Sequence, residues 1–361
     1  MAISMPDDPL VERKLTMGLL DEIFEQPAVL QRLLETQADN IHSIAQVIRQ
    51  NDVKYIFLAA RGTSDHAGLY AKYLLGSFNR LPIALAAPSI FSMYHRPPDL
   101  RDSLVLGISQ SGQSPDIVSV LAEGRRQGVP TLAITNAPES PLAKAAEFVI
   151  DICAGAEEAV AATKTYSAQL MAIAMLSVSL GEDSASYEVL QDVPGYVRQV
   201  LEMNRTLQRT AERFAYMTQC VVLGRGYNYA TAFEWSLKLK ELAYVVAEPY
   251  SSADFQHGPI AIVEHRFPIL AVMPDGAVYD DLFAMLQELK AKHDVELVVI
   301  SNRAEALELA NTPLPLPTGL PEWISPLVSI VPAQLFCYHL TRIKGFDVEK
   351  PRGLKKVTET R

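Results

Sequence analysis

Short apolar runs alternate with longer amphipathic stretches along most of this chain. The run Lys54–Ala60 ends in a polar turn at Arg61–Ser64, and the next stretch, His66–Phe78, has helical spacing. Further runs of strand length, separated by helical stretches, are Leu104–Ile108, Thr131–Thr135 and Phe148–Ile152. Because a β-α-β alternation builds parallel sheets covered by helices, the pattern predicts a doubly wound α/β fold.

The same pattern returns in the second half of the chain. Its apolar runs are Cys220–Gly226, Ile269–Met273 and Leu297–Asn302, with a helical stretch at Asp281–Lys292. The spacing from Arg61 to Ser109 equals that from Arg225 to Met273, and both arginines precede a glycine. A chance match of strands is the alternative, but the shared Arg-Gly and spacing favour an internal duplication joined near Gly181–Gly195.

The segments that flank the two copies differ from them. Met17–Leu34 has helical spacing, and Pro332–Ile343 predicts another helix. Thr312–Pro321 is too rich in proline for a helix or a central strand and predicts a connector. We therefore divide the chain into a helical arm (1–45), a first α/β domain (46–190), a second α/β domain (195–345) and a C-terminal tail (346–361).

The composition is typical of a globular protein with two domains. The chain has 361 residues, of which 49% are hydrophobic, so it can bury a large core. Its net charge of −10, without a cluster of Lys and Arg, argues against a nucleic-acid partner. We expect no signal peptide, because no basic and apolar leader opens the sequence, and no membrane span, because no apolar run approaches about 20 residues.

The three cysteines are Cys153, Cys220 and Cys337. Their scattered positions show neither the spacing of a metal site nor a disulfide framework. This usage predicts a protein of the reducing cytoplasm without a metal ion. Since no nucleotide motif is present either, we expect no cofactor.

A polar segment of small residues, Ser109–Asp116, follows the second apolar run with the sequence SQSGQSPD. In an open parallel sheet, ligands bind beyond the carboxyl ends of the strands, and a helix N-terminus attracts anions. No lysine follows Gly112, unlike in a nucleotide P-loop. The segment predicts a phosphate site, with an ordinary capped turn as the alternative. Its uncharged donors are Ser109, Gln110, Ser111 and Ser114, and a second wall is expected from Gly62, Thr63 and Ser64.

The second copy contains different candidate chemistry. Helical spacing places Glu234, Lys238 and Glu241 on one face, which taken alone is more typical of a surface ion-pair stripe. The stretch Tyr250–Pro259 reads as a loop that contains His257. A loop histidine is often merely solvated. Together with a nearby carboxylate and a lysine-rich tail, it forms a usable acid–base set.

At this point the sequence resembles a known family. It is similar to the paired sugar isomerase (SIS) domains of glutamine–fructose-6-phosphate aminotransferases and of stand-alone glucosamine-6-phosphate deaminases. The resemblance covers nearly the whole chain and implies two tandem SIS domains. The matching motifs are Glu22-Ile23, Glu25-Gln26-Pro27, Gly62-Thr63-Ser64, SQSG at 109–112, ATK at 162–164, LKLKE at 237–241, AE at 247–248, HGP at 257–259, Lys344-Gly345 with Asp347, and Pro351-Arg352.

The resemblance implies a role for each matching residue. Glu241 moves a proton between C1 and C2 of an open-chain sugar, and Lys238 stabilises the enediolate. His257 acts in ring opening and reaches into the site of a second subunit, which implies a homodimer. Lys356 forms a Schiff base with the ketose. The substrate and its phosphate are held by Gly62, Thr63, Ser64, Ser109, Gln110, Ser111, Ser114, Ala161 and Ala162.

Two features depart from the aminotransferase pattern. Arg61 stands where those proteins have cysteine. It either contacts the substrate or has only a structural role, which the arginine at the equivalent position of the second copy, Arg225, indicates. Lys355 is an extra lysine beside Lys356. The sequence also contains no match to the glutaminase half, so we expect that glutamine is not the ammonia donor.

The resemblance implies a reaction at a phosphosugar. The expected reaction converts glucosamine 6-phosphate and water into fructose 6-phosphate and ammonia. The alternatives within the enzyme class are synthesis of glucosamine 6-phosphate from free ammonia, and a deglycase or isomerase of another 6-phosphosugar. A sugar-phosphate sensor without turnover is the alternative from another class, although such regulators usually carry a helix-turn-helix segment.

Overall fold

A five-stranded parallel sheet forms the centre of the first half of the chain. The structure is a computed structural model and describes residues 18–356. The strands are β1 (Tyr55–Ala59), β2 (Ile83–Leu85), β3 (Ser103–Ile108), β4 (Thr131–Thr135) and β5 (Phe148–Asp151). The helices are α1 (Leu19–Gln50), α2 (Thr63–Asn79), α3 (Ser89–Ser92), α4 (Pro115–Gln127), α5 (Pro141–Ala145) and α6 (Lys164–Gly181). The strand order is β2-β1-β3-β4-β5.

The second half contains a second sheet of the same design. Its strands are β6 (Gln219–Gly224), β7 (Val246–Ser251), β8 (Pro268–Val272), β9 (Glu296–Ser301) and β10 (Thr312–Pro315). Its helices are α7 (Ser184–Leu201), α8 (Asn204–Glu212), α9 (Tyr229–Leu242), α10 (Ser252–Gln256), α11 (Tyr279–His293), α12 (Ala304–Leu309) and α13 (Ser325–Ile343). The order β7-β6-β8-β9-β10 repeats that of the first sheet, and all pairs are parallel. The predicted α/β fold with internal duplication is therefore confirmed.

Alternating side chains of the central strands form cores on both faces of each sheet. Leu104 and Leu106 of β3 lie in the large core shared with α1, α2 and α6, whereas Val105 faces α4 with Leu121. The large core continues into the second half through α7, α9 and α13. The junction between the halves is a short turn at Glu182 and Asp183, because α6 ends at Gly181 and α7 begins at Ser184.

The strands that the sequence pattern did not reveal all lie at sheet edges. These are β2, β7 and β10. The prediction of a connector at Thr312–Pro321 was wrong for Thr312–Pro315, which pairs with β9, and the prediction of a loop at Tyr250–Pro259 was wrong for the end of β7 and for α10. An edge strand tolerates proline because one side of its backbone needs no partner.

Two helices are longer than their sequence patterns indicate. The helix predicted to end at Leu34 continues to Gln50, past the predicted end of the arm at residue 45, and packs against α6 and α7. Residues 1–17 and 357–361, to which the predicted arm (1–45) and tail (346–361) extend, lie outside the described residues. The helix predicted from Pro332 begins at Ser325. Pro332 lies inside this buried helix, where it removes one helical hydrogen bond.

The segment Glu322–Ile343, which includes α13, is long and apolar enough by composition to cross a membrane. The expectation that no apolar run approaches this length was therefore wrong. All of its residues in the most apolar window are buried inside the protein, where α13 packs against α7, α8 and α9. A central helix in a large core has the same composition as a membrane span.

Candidate active site

The loop Ser109–Ser114, called the serine loop below, lies where two crossovers leave the sheet in opposite directions. It follows β3, and β3 pairs with β1, which ends at the turn Arg61–Ser64. In doubly wound sheets this switch point is the usual place for a ligand. The loop and the turn are therefore neighbours, as the sequence pattern predicted.

Local hydrogen bonds shape the serine loop. Ser109 accepts a bond from the Gly112 N–H at 3.1 Å, and Ser111 accepts a longer one from the Gln113 N–H at 3.4 Å. Gly112 has a φ of 62°, and a Cβ there would lie 2.0 Å from the Ser140 hydroxyl oxygen. Only glycine fits this position, because both the backbone conformation and the space exclude a side chain.

Ser114 is the N-cap of α4, but its hydroxyl makes no capping hydrogen bond. Ser114 therefore does not act as an ordinary side-chain cap, which was the alternative to a phosphate site. Pro115 has no N–H, and the Ile117 N–H donates to Asp116 Oδ1 at 2.9 Å, so the donors that this helix N-terminus offers an anion are the Asp116 N–H and the Ser114 hydroxyl.

Arg61 forms an ion pair with Asp116 in the first turn of α4. Its Nε and Nη2 atoms both lie 2.9 Å from Asp116 Oδ2, and the carboxylate is buried. A buried anion at this position would oppose the binding of phosphate, and the guanidinium neutralises it. Within the described residues, the structure therefore assigns Arg61 a contact that holds β1 to α4.

The neighbouring residues of the turn reach two other helices. The Ser64 hydroxyl accepts a hydrogen bond from Gln169 Nε2 of α6 at 3.1 Å. The Thr63 hydroxyl donates to Glu234 Oε1 of α9 at 3.1 Å and lies 3.3 Å from Lys238 Nζ. This turn therefore connects the serine loop with the helix that carries Glu241.

The residues Glu234, Lys238 and Glu241 do lie on one face of α9, but that face is not on the surface. It packs against α2 of the first half, so Glu234 is fully buried and Lys238 is 1% exposed. Lys238 Nζ lies 2.6 Å from Glu241 Oε2 and 3.3 Å from Glu234 Oε1. The interpretation as a surface ion-pair stripe was wrong, because α2 and α9, the equivalent helices of the two copies, cover each other.

The charges on α9 are strongly coupled. Burial alone would lower the pKa of Lys238, but Glu234 and Glu241 raise it above its ordinary value. Burial would raise the pKa of Glu234, but Lys238 and a hydrogen bond from His66 bring it below its ordinary value. Lys238 is thus an ammonium ion at neutral pH, able to stabilise negative charge that develops beside Glu241.

Lys356 turns inward from the tail, whereas Lys355 is exposed. Lys356 Nζ donates to Glu157 Oε2 at 2.7 Å and to the Ala159 carbonyl at 2.6 Å. Glu157 also accepts bonds from the N–H groups of Thr163 and Thr165 at the start of α6. Ala161 is buried and Ala162 half-buried in this same connection between β5 and α6.

A second buried carboxyl group lies next to Glu157. Glu22 accepts hydrogen bonds from the N–H groups of Glu158 and Ala159 through Oε1, and among the described residues its buried Oε2 has no partner. Burial, together with the charge of Glu157, raises the pKa of Glu22 to about 7. In the sequence, Glu22 is recognisable only as part of a motif, and no local pattern singles out Glu157.

His257 ends the one-turn helix α10 and is exposed. Among the described residues it forms no hydrogen bond or ion pair with Glu241, Lys238 or Lys356. Within one chain, His257 is therefore not bonded to the other candidate acid–base residues. In residues 18–356, no group of three or more His, Cys, Asp and Glu side chains could hold a metal ion.

The loop of the second copy that corresponds to the serine loop is filled by the protein's own groups. The Ala277 N–H donates to Glu322 Oε2 at 2.9 Å, and the Asp275 N–H donates to Asn302 at 2.7 Å. The Asp275 carboxylate pairs with Arg303 at 2.8 Å. Carboxylates therefore occupy the place where an anion would bind, so the two copies are not equivalent.

Comparison with known proteins agrees with this architecture. The SIS domain family matches residues 51–179 and 216–344. The chain belongs to this family and contains the domain twice. Glutamine–fructose-6-phosphate aminotransferase (isomerizing) of Gloeobacter violaceus is 37% identical over 357 residues, covering 94% of this chain and 58% of the relative. A homologue of the same name from Thermus thermophilus is 33% identical over 351 residues, with coverage of 94% and 58%.

Solved structures identify the related part of those relatives. The C-terminal domain of glucosamine-fructose-6-phosphate aminotransferase from Francisella tularensis has a TM-score of 0.85 and 30% identity, covering 94% of this chain and 99% of that domain. The chain thus corresponds to the isomerase half, and spans about 58% of the length of the curated relatives. Glucosamine-6-phosphate deaminase from Thermotoga maritima has a TM-score of 0.77 at 20% identity, covering 95% and 99%, and shares the fold.

Proposed function

We propose that this protein deaminates an amino-sugar phosphate, converting glucosamine 6-phosphate and water into fructose 6-phosphate and ammonia. The observation that carries the proposal is the pair of the buried Lys238 and the partly exposed Glu241, 2.6 Å apart, which the turn Arg61–Ser64 connects to the serine loop. An anion site, a carboxylate base and a fixed ammonium ion are what an aldose–ketose conversion of a phosphosugar requires.

The phosphate binds in the serine loop, where uncharged donors and the N-terminus of α4 hold it. The donors are Ser64, Ser109, Gln110, Ser111 and Ser114. Their uncharged character allows the product to leave, because no fixed cation has to be separated from the phosphate. Gly62, Thr63, Ala161 and Ala162 border the sugar, and Arg61 supports the site by neutralising Asp116.

Proton transfer is the task of the α9 pair. In the open-chain aldose, Glu241 removes the proton from C2, and the electrons move to the C1 oxygen, where Lys238 stabilises them. Glu241 then returns the proton to C1, and a second proton passes from the nitrogen to the C1 oxygen, which leaves a C1 hydroxyl and a ketimine at C2. The neutral amine of Lys356 adds to C2 of this ketimine, its proton passes to the departing nitrogen, and ammonia leaves. Water then hydrolyses the lysine Schiff base to give the ketose and free Lys356.

We also propose the assembly in which this site is complete. Since His257 is exposed and apart from Glu241 within one chain, it opens the sugar ring in the site of a second subunit of a homodimer. The first SIS domain (46–190) binds the phosphate, the second (195–345) supplies Glu241, and the tail (346–361) supplies Lys356. A phosphorylated sugar is an intracellular metabolite, so the protein acts in the cytoplasm, without a cofactor.

A second candidate is the reverse reaction, which makes glucosamine 6-phosphate from fructose 6-phosphate and free ammonia. The likeness to aminotransferases at 37% identity favours it, and every catalytic group serves in both directions. The two candidates differ only in which direction the conditions favour.

Purified protein incubated with glucosamine 6-phosphate is expected to release ammonia and fructose 6-phosphate in equal amounts without glutamine. Ammonia is measured by a coupled assay, with glucosamine lacking the phosphate as the control substrate. If no ammonia is released from glucosamine 6-phosphate, and the protein instead isomerises another 6-phosphosugar, deamination is the wrong reaction.

Each chain is expected to bind one equivalent of a non-reacting sugar phosphate analogue. The loop of the second copy is occupied by Glu322 and Asp275, and a carboxylate about 4 Å from a bound anion costs about 1–4 kcal/mol. Calorimetric titration measures the stoichiometry. The double variant Ser109→Ala, Ser111→Ala should abolish binding, whereas Asp275→Ser should leave it at one equivalent. Two equivalents of similar affinity in the unmodified protein would contradict this assignment.

A further inference from the structure

His66 lies in the first turns of α2, between the turn that borders the serine loop and the helix that carries Glu241. Its Nδ1 atom is 2.7 Å from Glu234 Oε2, and its ring packs against that of Phe233. The side chain is 12% exposed and Glu234 is fully buried. The contact therefore joins the two halves of the chain directly behind Lys238.

In the hydrogen bond between His66 Nδ1 and Glu234 Oε2, the histidine is the donor. The pKa of Glu234 is below its ordinary value, despite the opposing effect of burial, because of Lys238 and His66, so Glu234 is ionised and can only accept. Nδ1 of His66 must therefore carry a proton and donate it to Oε2. The other oxygen, Oε1, accepts from the Thr63 hydroxyl and faces Lys238.

In this arrangement, each of the three N–H groups of Lys238 already has an acceptor. Its three N–H bonds face Glu241 Oε2 at 2.6 Å, Glu234 Oε1 at 3.3 Å and Thr63 Oγ1 at 3.3 Å. Without His66, Glu234 Oε2 would be a buried anionic oxygen without a partner, and Lys238 is the nearest cation that could satisfy it. Lys238 would then turn away from Glu241.

The other ionisable groups around this contact do not replace His66. Asp65 precedes it on α2, and among the described residues its side chain forms no hydrogen bond with Glu234. Tyr166 of α6 lies near Glu234, and burial and the charge of Glu234 hold the pKa of its phenol well above the ordinary value, so it keeps its proton. Its hydroxyl nevertheless makes no hydrogen bond among the described residues, so it does not hold Oε2. His66 is thus the donor that holds Oε2.

We propose that His66 is a positioning residue of the active site, which fixes the orientation of Glu234 so that Lys238 stays directed at Glu241. This inference rests on the proposed function, since it concerns the step in which Glu241 moves the proton. His66 does not touch the sugar in this account, so it affects the rate of the chemical step and leaves substrate binding nearly intact.

The test compares two amide substitutions at the same position. The nitrogen of an Asn side chain can take the place of Nδ1, whereas that of Gln takes the place of Nε2. His66→Gln and His66→Ala are expected to lower kcat for ammonia release by about 10- to 100-fold, with KM changed less than about threefold, and His66→Asn should recover most of kcat. Thermal unfolding shows whether each variant is folded, and His42→Asn, at an exposed position of α1, is the control.

A second experiment tests whether His66 acts through Glu234. The loss in kcat of the double variant His66→Ala, Glu234→Gln should be smaller than the product of the two single losses, because both remove the same contact. The inference is overturned if folded His66→Gln keeps wild-type kcat, if His66→Asn is no better than His66→Ala, or if the two losses multiply. Unmodified protein that releases no ammonia and exchanges no substrate proton would instead refute the proposed function, and this inference with it.

Discussion

Replacing Glu241 by Gln is expected to lower kcat for ammonia release by about 10²- to 10⁴-fold while the affinity for the phosphosugar changes little. Glutamine keeps the size of the side chain and an oxygen that can accept from Lys238, which lies 2.6 Å from the carboxylate. It removes the proposed base for proton transfer between C1 and C2. In the proposed binding mode the serine loop holds the substrate, so the affinity should be preserved.

The matched control for this variant is Glu288→Gln. Glu288 also pairs with a lysine along a helix, Lys292 of α11, but the pair is on the surface and far along the chain from the serine loop. Its kcat should equal that of the unmodified protein. A Glu241→Gln variant with near-normal turnover would mean that another group is the base and that the α9 pair only connects the two halves.

Replacing Lys356 by Met is expected to lower kcat by on the order of 10³-fold and to abolish trapping of the substrate on the protein. Lys356 is half-buried. Its amine donates to Glu157 and to the Ala159 carbonyl, so it lies against residues of the first SIS domain. Methionine retains a side chain of similar length without the nucleophile. Borohydride added to unmodified protein with fructose 6-phosphate should fix the sugar to one lysine, detected by mass spectrometry.

The neighbouring lysine provides the control for this experiment. Lys355 is exposed, so Lys355→Met should trap the sugar and turn over like the unmodified protein. Peptide mapping should locate the reduced adduct at Lys356. An adduct at Lys355, or one that persists in Lys356→Met, would contradict the assignment of the nucleophile.

The central strands of both sheets were predictable from the sequence because burial on both faces makes them continuous apolar runs. All residues of β3, β4 and β9 are buried, and each was found within one residue at either end. The edge strands β2, β7 and β10 were not found, because β2 has only three residues and because β7 and β10 contain proline and exposed positions. The duplication followed from matched spacing, which does not depend on strand boundaries.

The candidate residues of the site could be named from the sequence one at a time, but the contacts between them could not. The polar face of α9 looked like a surface because the sequence does not show that α2 covers it. Glu157 lies far along the chain from Lys356, and Glu22 from Glu157, so no local pattern could bring these groups together. The pairing of Arg61 with Asp116 likewise depends on the packing of β1 beside β3, which only the folded chain shows.

The most direct test of the central claim is hydrogen exchange at C1 of fructose 6-phosphate in D2O, followed by NMR without any amine present. The claim is that the serine loop holds a phosphosugar whose C1–C2 proton is moved by Glu241. Unmodified protein is expected to exchange one of the two C1 hydrogens for deuterium stereospecifically. Fructose 6-phosphate that binds at one equivalent per chain but keeps both C1 hydrogens after many hours would contradict it.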